Sequence, residues 1–194
     1  MTLLTISIGV PDLEAYVAAP SGLWAYIIPA LGRLRDSVAS PILEYTLTLD
    51  DDHWPGRDMS AIALGDTGSP TSIPALLEAV ERGYARKAAI ASLAKFDDHR
   101  VIPALITALQ PEEDMETTRK AMDALHRFGP EAVPALIDAF DNFSPEYSAT
   151  EERLRLCHLL GKSEDDRAIS RLQESLNAPD AIIEKCALKY IREK

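Results

Sequence analysis

IPALLEAV at residues 73–80 is nearly rewritten as IPALITAL at 102–109 and VPALIDAF at 133–140. Each octet opens on a branched apolar residue followed by Pro, Ala and Leu. Eight or nine residues upstream lies the last leucine of an Ala/Leu-rich stretch: Leu64, Leu93 or Leu125. A turn rich in Gly, Asp or Pro fills the gap. A unit that recurs about every 30 residues is the mark of a solenoid, because each copy is one supersecondary element stacked on the next.

Each copy reads as two helices. In the first, Ala88, Ala89, Ser92, Leu93 and Phe96 recur at three- and four-residue steps. Its end is expected at Gly65, at Asp97 and Asp98, at Gly129, or at Gly161. In the second, Ile102, Leu105, Ile106 and Leu109 form one apolar stripe. The repeated proline falls in the first turn, where a missing N–H costs little. Ser69–Pro70 reads as a helix cap followed by a starting proline. A single helix pair cannot cover its own stripe, so neighbours must stack. Weaker copies occupy 23–47 and 153–176, as end repeats do when they cap a stack.

The pattern resembles the HEAT-like repeats of the phycobilisome-lyase type. LDDDHWPGRDMSAIALGDTGSPTSIPALLEAV, residues 49–80, carries the resemblance most fully. It has the acidic turn, the basic position, the Ala-rich helix, the Gly-Asp turn and the Ile-Pro-Ala-Leu helix. The copies are shorter than the usual HEAT period of about 40–47 residues. The resemblance implies an all-α fold: a right-handed α-α solenoid of about five HEAT-like helix pairs with capping helices. One domain is expected over 1–194, with repeats near 21–49, 53–82, 84–110, 115–142 and 147–177. Residues 1–20 would cap one end and a helix at 179–193 the other.

The 194 residues are 46% hydrophobic but only 6% aromatic, a mix suited to closely packed helices. Net charge is −11, which repels phosphates and makes nucleic acid and anionic membranes poor partners. Cys157 and Cys186 sit in apolar helical patterns without ligand spacing. They read as buried packing in a reducing compartment. The first residues lack a basic flank, and no apolar run is long enough to span a bilayer, so the expected location is cytoplasmic.

No catalytic residue, metal ligand or cofactor site emerges. The histidines, His53, His99, His126 and His158, form no HExxH motif and no His-Glu pair of the kind that iron-binding HEAT-like hydroxylases carry. Asp50, Asp51 and Asp52 lack the spacing of a calcium loop. HEAT-like DNA glycosylases need a basic groove, and the balance here is acidic.

The acidity itself is patterned. Asp50–Asp52 and Glu112–Asp114 lie in turns between pairs and would form an acidic rim. Along the second helices one column reads Glu44, Glu78, Thr107, Asp138, Glu174. Three residues on, the next includes Glu81 and Asp141. If these helices line the concave side, as the resemblance implies, that face is acidic and polar. Trp54, Phe143 and Tyr147 fall near the same edge as the acidic turns and could anchor a basic partner. Arg57, Arg86 and Arg153, with Arg119 one residue off, are expected to make ion pairs between neighbouring repeats. The expected function is non-catalytic: binding a basic protein or peptide as adaptor, assembly factor or inhibitor. The alternative implied by the resemblance is a bilin lyase-like or chaperone role on a chromoprotein.

Overall fold

The computed structural model describes residues 21–34, 39–49, 56–110, 113–142, 149–176 and 181–192. These are helical without a strand. They form α1 (Ser21–Leu34), α2 (Ala39–Thr48), α3 (Gly56–Thr67), α4 (Ile73–Arg82), α5 (Arg86–Leu93) and α6 (Ile102–Thr107). There follow α7 (Met115–Phe128), α8 (Val133–Asp141), α9 (Ala149–Lys162), α10 (Asp166–Ser175) and α11 (Ala181–Arg192). The fold is an all-α solenoid of helix pairs. The chain divides into two compact units, one up to Ser92 and one from Leu93 onward.

The octets become α4, α6 and α8. Each begins from a single 3-10 turn: Pro70–Ser72, His99–Val101 and Gly129–Glu131. Pro74, Pro103 and Pro134 are the second residues of their helices and are exposed. Nothing is lost there, since first-turn N–H groups have no intrahelical acceptor. The apolar stripes turn inward, with Leu76 and Leu105 at 0% exposure and Leu136 at 2%. Each such leucine contributes about 1.5–3 kcal/mol by leaving water.

In the first unit, α1 packs along α3 and α2 along α3. Thr46 Oγ1 and Ser60 Oγ, both buried, hydrogen-bond across α2 and α3 at 2.7 Å. In the second unit α9 packs against α8, α10 and α11, and α6 against α7.

Two glycines expected to end helices do not. The third helix runs through Gly65 to Thr67, and α9 runs through Gly161 to Lys162. Both are close-approach sites. A Cβ on Gly65 would lie 2.5 Å from Ser92 Oγ, and one on Gly161 would lie 2.2 Å from Tyr190 Cγ. Gly129 does end α7, with φ +54. Ser69 starts the 3-10 turn before Pro70, but its hydroxyl bonds Thr71 Oγ1 at 2.8 Å and not a helix N–H.

The arginines meet backbone as well as acid. Arg57 Nε donates to Leu49 O at 2.7 Å and Arg86 Nη1 to Val80 O at 3.1 Å, covering carbonyls at the ends of α2 and α4. Arg119 pairs within α7, with Glu116 and Asp123. In the second unit further arginines also link successive pairs. Arg127 reaches back to Asp97 Oδ1 at 2.8 Å and Ala94 O at 2.9 Å. Arg167 donates to Pro130 O at 3.1 Å.

Asp98 and Asp165 share one capping device. Each accepts from the backbone N–H and the guanidinium of the arginine two residues on, Arg100 or Arg167. These bonds hold both carboxyls down at about 2. A depressed folded value means the caps stabilise the fold above the ordinary aspartate range. That contribution is lost as pH falls through about 2. Asp98→Asn with Asp165→Asn should flatten the fall in stability between about pH 4 and pH 2, read by circular dichroism in urea. An unchanged slope would show the caps carry no linkage.

Candidate functional site

In the first unit the acidic positions lie on α2 and α4. Glu44 is half-buried, and burial raises its carboxyl above the usual range. Glu78 accepts from Arg82 Nε at 2.9 Å, one helical turn on. Glu81 is exposed and has no ion pair among the described residues. Beyond α4, the Tyr84 ring lies under the Arg57 guanidinium, 5.4 Å from its centroid. Burial and the Glu78 charge raise the Tyr84 phenol, against Arg82 and Arg57. The end of α4 is therefore mixed in charge, with Glu81 as its outward acid.

In the second unit Asp138 is exposed and accepts from Asn142 Nδ2 at 2.8 Å. Asp141 accepts from Arg171 Nε at 2.6 Å, and Arg171 Nη1 is 3.9 Å from Glu174. Arg171 thus gathers Asp141 and Glu174 from successive second helices. Its guanidinium also lies 5.2 Å from the Phe140 centroid, with Arg153 at 5.1 Å from the same ring. The sequence pattern counted Asp141 as part of an acidic face. In the fold its charge is matched by an arginine 30 residues away. Trp54, Phe143 and Tyr147 lie outside the described residues.

One surface feature was missed. Met115, Glu116, Thr118, Arg119, Met122, Asp123 and Arg155 line an open groove of about 540 Å³ beside α7 and α9. Met115 is 86% exposed. The signal was the pair Met115 and Met122, seven residues apart on one side of α7, overlooked because first helices were read only for their core face.

His158 Nδ1 and the Tyr190 hydroxyl hydrogen-bond, and their rings meet edge to face at 5.7 Å. Burial, then Lys162, Lys189 and His126, lower the His158 imidazole. Among the described residues, no three His, Cys, Asp or Glu side chains are grouped to hold a metal ion. No described helix is long and apolar enough to cross a membrane.

Residues 81–152 match the family of HEAT repeats, and residues 57–82 match the PBS lyase HEAT-like repeat. No curated protein matches the chain by sequence. Among solved structures, the complex of CpcE and CpcF of phycocyanin lyase from Nostoc sp. PCC7120 contains a chain that aligns at 21% identity with a TM-score of 0.57. That alignment covers 92% of this chain and 73% of that one, and it shows a shared fold. Human deoxyhypusine hydroxylase in complex with glycerol aligns at 16% identity and TM-score 0.39, over 94% of this chain and 83% of that one. An engineered protein aligns at 17% and 0.43, over 93% of each. Residues 57–152 thus carry repeats of the HEAT and phycobilisome-lyase HEAT-like types, and the octets within them fold as matching helices.

Proposed function

We propose that the chain is a non-catalytic protein–protein interaction module whose second helices and acidic turns bind a basic protein or peptide. The observation that carries this reading is the pair of outward acids, Glu81 on α4 and Asp138 on α8. Neither is matched by an arginine or lysine among the described residues. Each unit offers such an acid beside a partly matched one: Glu78 next to Glu81, and Asp141 next to Asp138. A cationic segment can add charge-assisted bonds to the outward acids without displacing Arg82 or Arg171. The net charge of −11 would speed its approach. Recognition of this kind suits an adaptor, an assembly factor or an inhibitor of a basic protein.

The test is fluorescence anisotropy with an arginine-rich peptide of about 15 residues, titrated at low and at physiological salt. Binding should weaken steeply with salt. Glu81→Lys with Asp138→Lys should reduce affinity roughly tenfold or more at unchanged helicity. Equal affinity in the variant would remove the acidic face from the reading.

The match to the PBS lyase HEAT-like repeat supports a second reading, a lyase-like or chaperone role on a chromoprotein. A bilin and an apo-phycobiliprotein, incubated with the chain, would then yield a red-shifted, protein-bound chromophore. No described residue is assigned to that chemistry.

A further inference from the structure

The two cysteines are 29 residues apart in sequence, since 186 − 157 = 29, and belong to helices that stack. In the second unit no helix pair packs more extensively than α9 and α11. Their register is fixed at Gly161. Tyr190 presses on that glycine so closely that a Cβ would meet the ring, and the Tyr190 hydroxyl bonds His158. Gly161 and Tyr190 are also 29 apart, since 190 − 161 = 29. One turn earlier on each helix stand Cys157 and Cys186, on the same faces as Gly161 and Tyr190. Both cysteines are free, and each thiol shifts the titration of the other. Their sequence surroundings alone mark them as separate packing residues. The fold makes them a pair.

We infer that Cys157 and Cys186 are an oxidant-reactive pair that closes into a disulfide between α9 and α11. The asymmetry of the site assigns the roles. Cys157 is wholly buried, and Cys186 is half-buried and open to a small oxidant. The neighbouring Cys157 favours the Cys186 thiolate, against burial, and Lys189 adds a smaller pull in the same direction. The Cys157 thiol is pushed up strongly by the neighbouring Cys186 and by burial. Cys186 is therefore the attacking sulfur and Cys157 the resolving one.

With a peroxide as oxidant the chemistry balances. The Cys186 thiolate attacks one peroxide oxygen and the O–O bond breaks. Sulfur is oxidised to a sulfenic acid and the other oxygen leaves as water after taking a proton. Cys157 sulfur then attacks the sulfenyl sulfur, forming S–S and breaking S–O. The departing hydroxide takes the Cys157 proton, so two thiols and one peroxide become one disulfide and two waters. A thiol reductant reverses the step. The bond would tie the last described helix to α9, independently of the acidic face proposed above.

The experiment uses the full reduced chain, a few-fold excess of hydrogen peroxide, and N-ethylmaleimide as quench. The expected product is monomeric, about 2 Da lighter, takes up no maleimide, and gives a peptide joining positions 157 and 186. Its Tm should exceed that of the reduced chain by roughly 5 °C or more. In Cys157→Ala the resolving thiol is gone, and dimedone should trap a sulfenic acid at Cys186. Two alkylated thiols after peroxide, sulfinic acid at Cys186 in the wild type, or a dimer joined through Cys186 would each overturn the proposal. If Cys157→Ala does not fold, the wild-type peptide map decides alone.

Discussion

Leu105→Asp should abolish the cooperative thermal transition of the second unit. Leu105 is fully buried at the centre of α6, between Ile102 and Leu109, which are also buried. Replacing the leucine forfeits about 2–5 kcal/mol of packing and transfer energy. The new carboxyl must also ionise in an apolar stripe or bind a proton, which costs several kcal/mol more. The sum is comparable with the whole stability of an ordinary domain, about 5–15 kcal/mol. Fraying offers little escape. Opening so short a helix to wet position 105 would also expose Val101, Ile102 and Leu109. Leu105→Ala should keep the fold with a lower Tm. The measurement is a circular dichroism melt, and a wild-type midpoint for Leu105→Asp would mean that the octets do not face the core.

How far the sequence could be read depended on the range of the interaction. The octets were legible because their information is local: a helical stripe, a proline in the first turn, and a period. Leu76, Leu105 and Leu136 are buried as the stripe demands. Gly65 and Gly161 were misread because glycine commonly ends helices, and only the neighbouring helix shows that each fills a contact. The charge pattern was legible as a list of acids but not as an electrostatic surface. Whether Asp141 is matched depends on Arg171, on another helix. The cysteine pair was within reach. Its spacing of 29 is the repeat period itself, and residues one period apart on stacked helices are neighbours. The Met115–Met122 groove is marked only by two methionines seven residues apart, a spacing that on a first helix does not tell the outer side from the core side.

Gly65→Val should lower the Tm of the chain by roughly 5–15 °C, although helix propensity argues for a gain. Gly65 is in the last turns of α3, where any residue but proline is intrinsically better by up to about 1 kcal/mol. Against this stands Ser92 on α5. A Cβ at position 65 would lie 2.5 Å from Ser92 Oγ, 2.6 Å from its Cβ and 3.0 Å from its Cα. The side chain cannot simply swing away, because the Cβ and the backbone are themselves too near. The helices must part, and overpacking of that kind costs about 1–3 kcal/mol. Alanine already carries the clashing Cβ, so Gly65→Ala should lose stability as well; the extra bulk of valine enlarges the loss. Ser92 also explains why the contact can be relieved. Its hydroxyl is buried and has no hydrogen-bond partner among the described residues, so its removal leaves no broken bond. Ser92→Gly in the Gly65→Val background should recover part of the loss, a positive coupling that separate effects on two helices would not produce. A Gly65→Val chain as stable as the wild type, or more so, would show that α3 and α5 do not approach at this point and that propensity alone governs it.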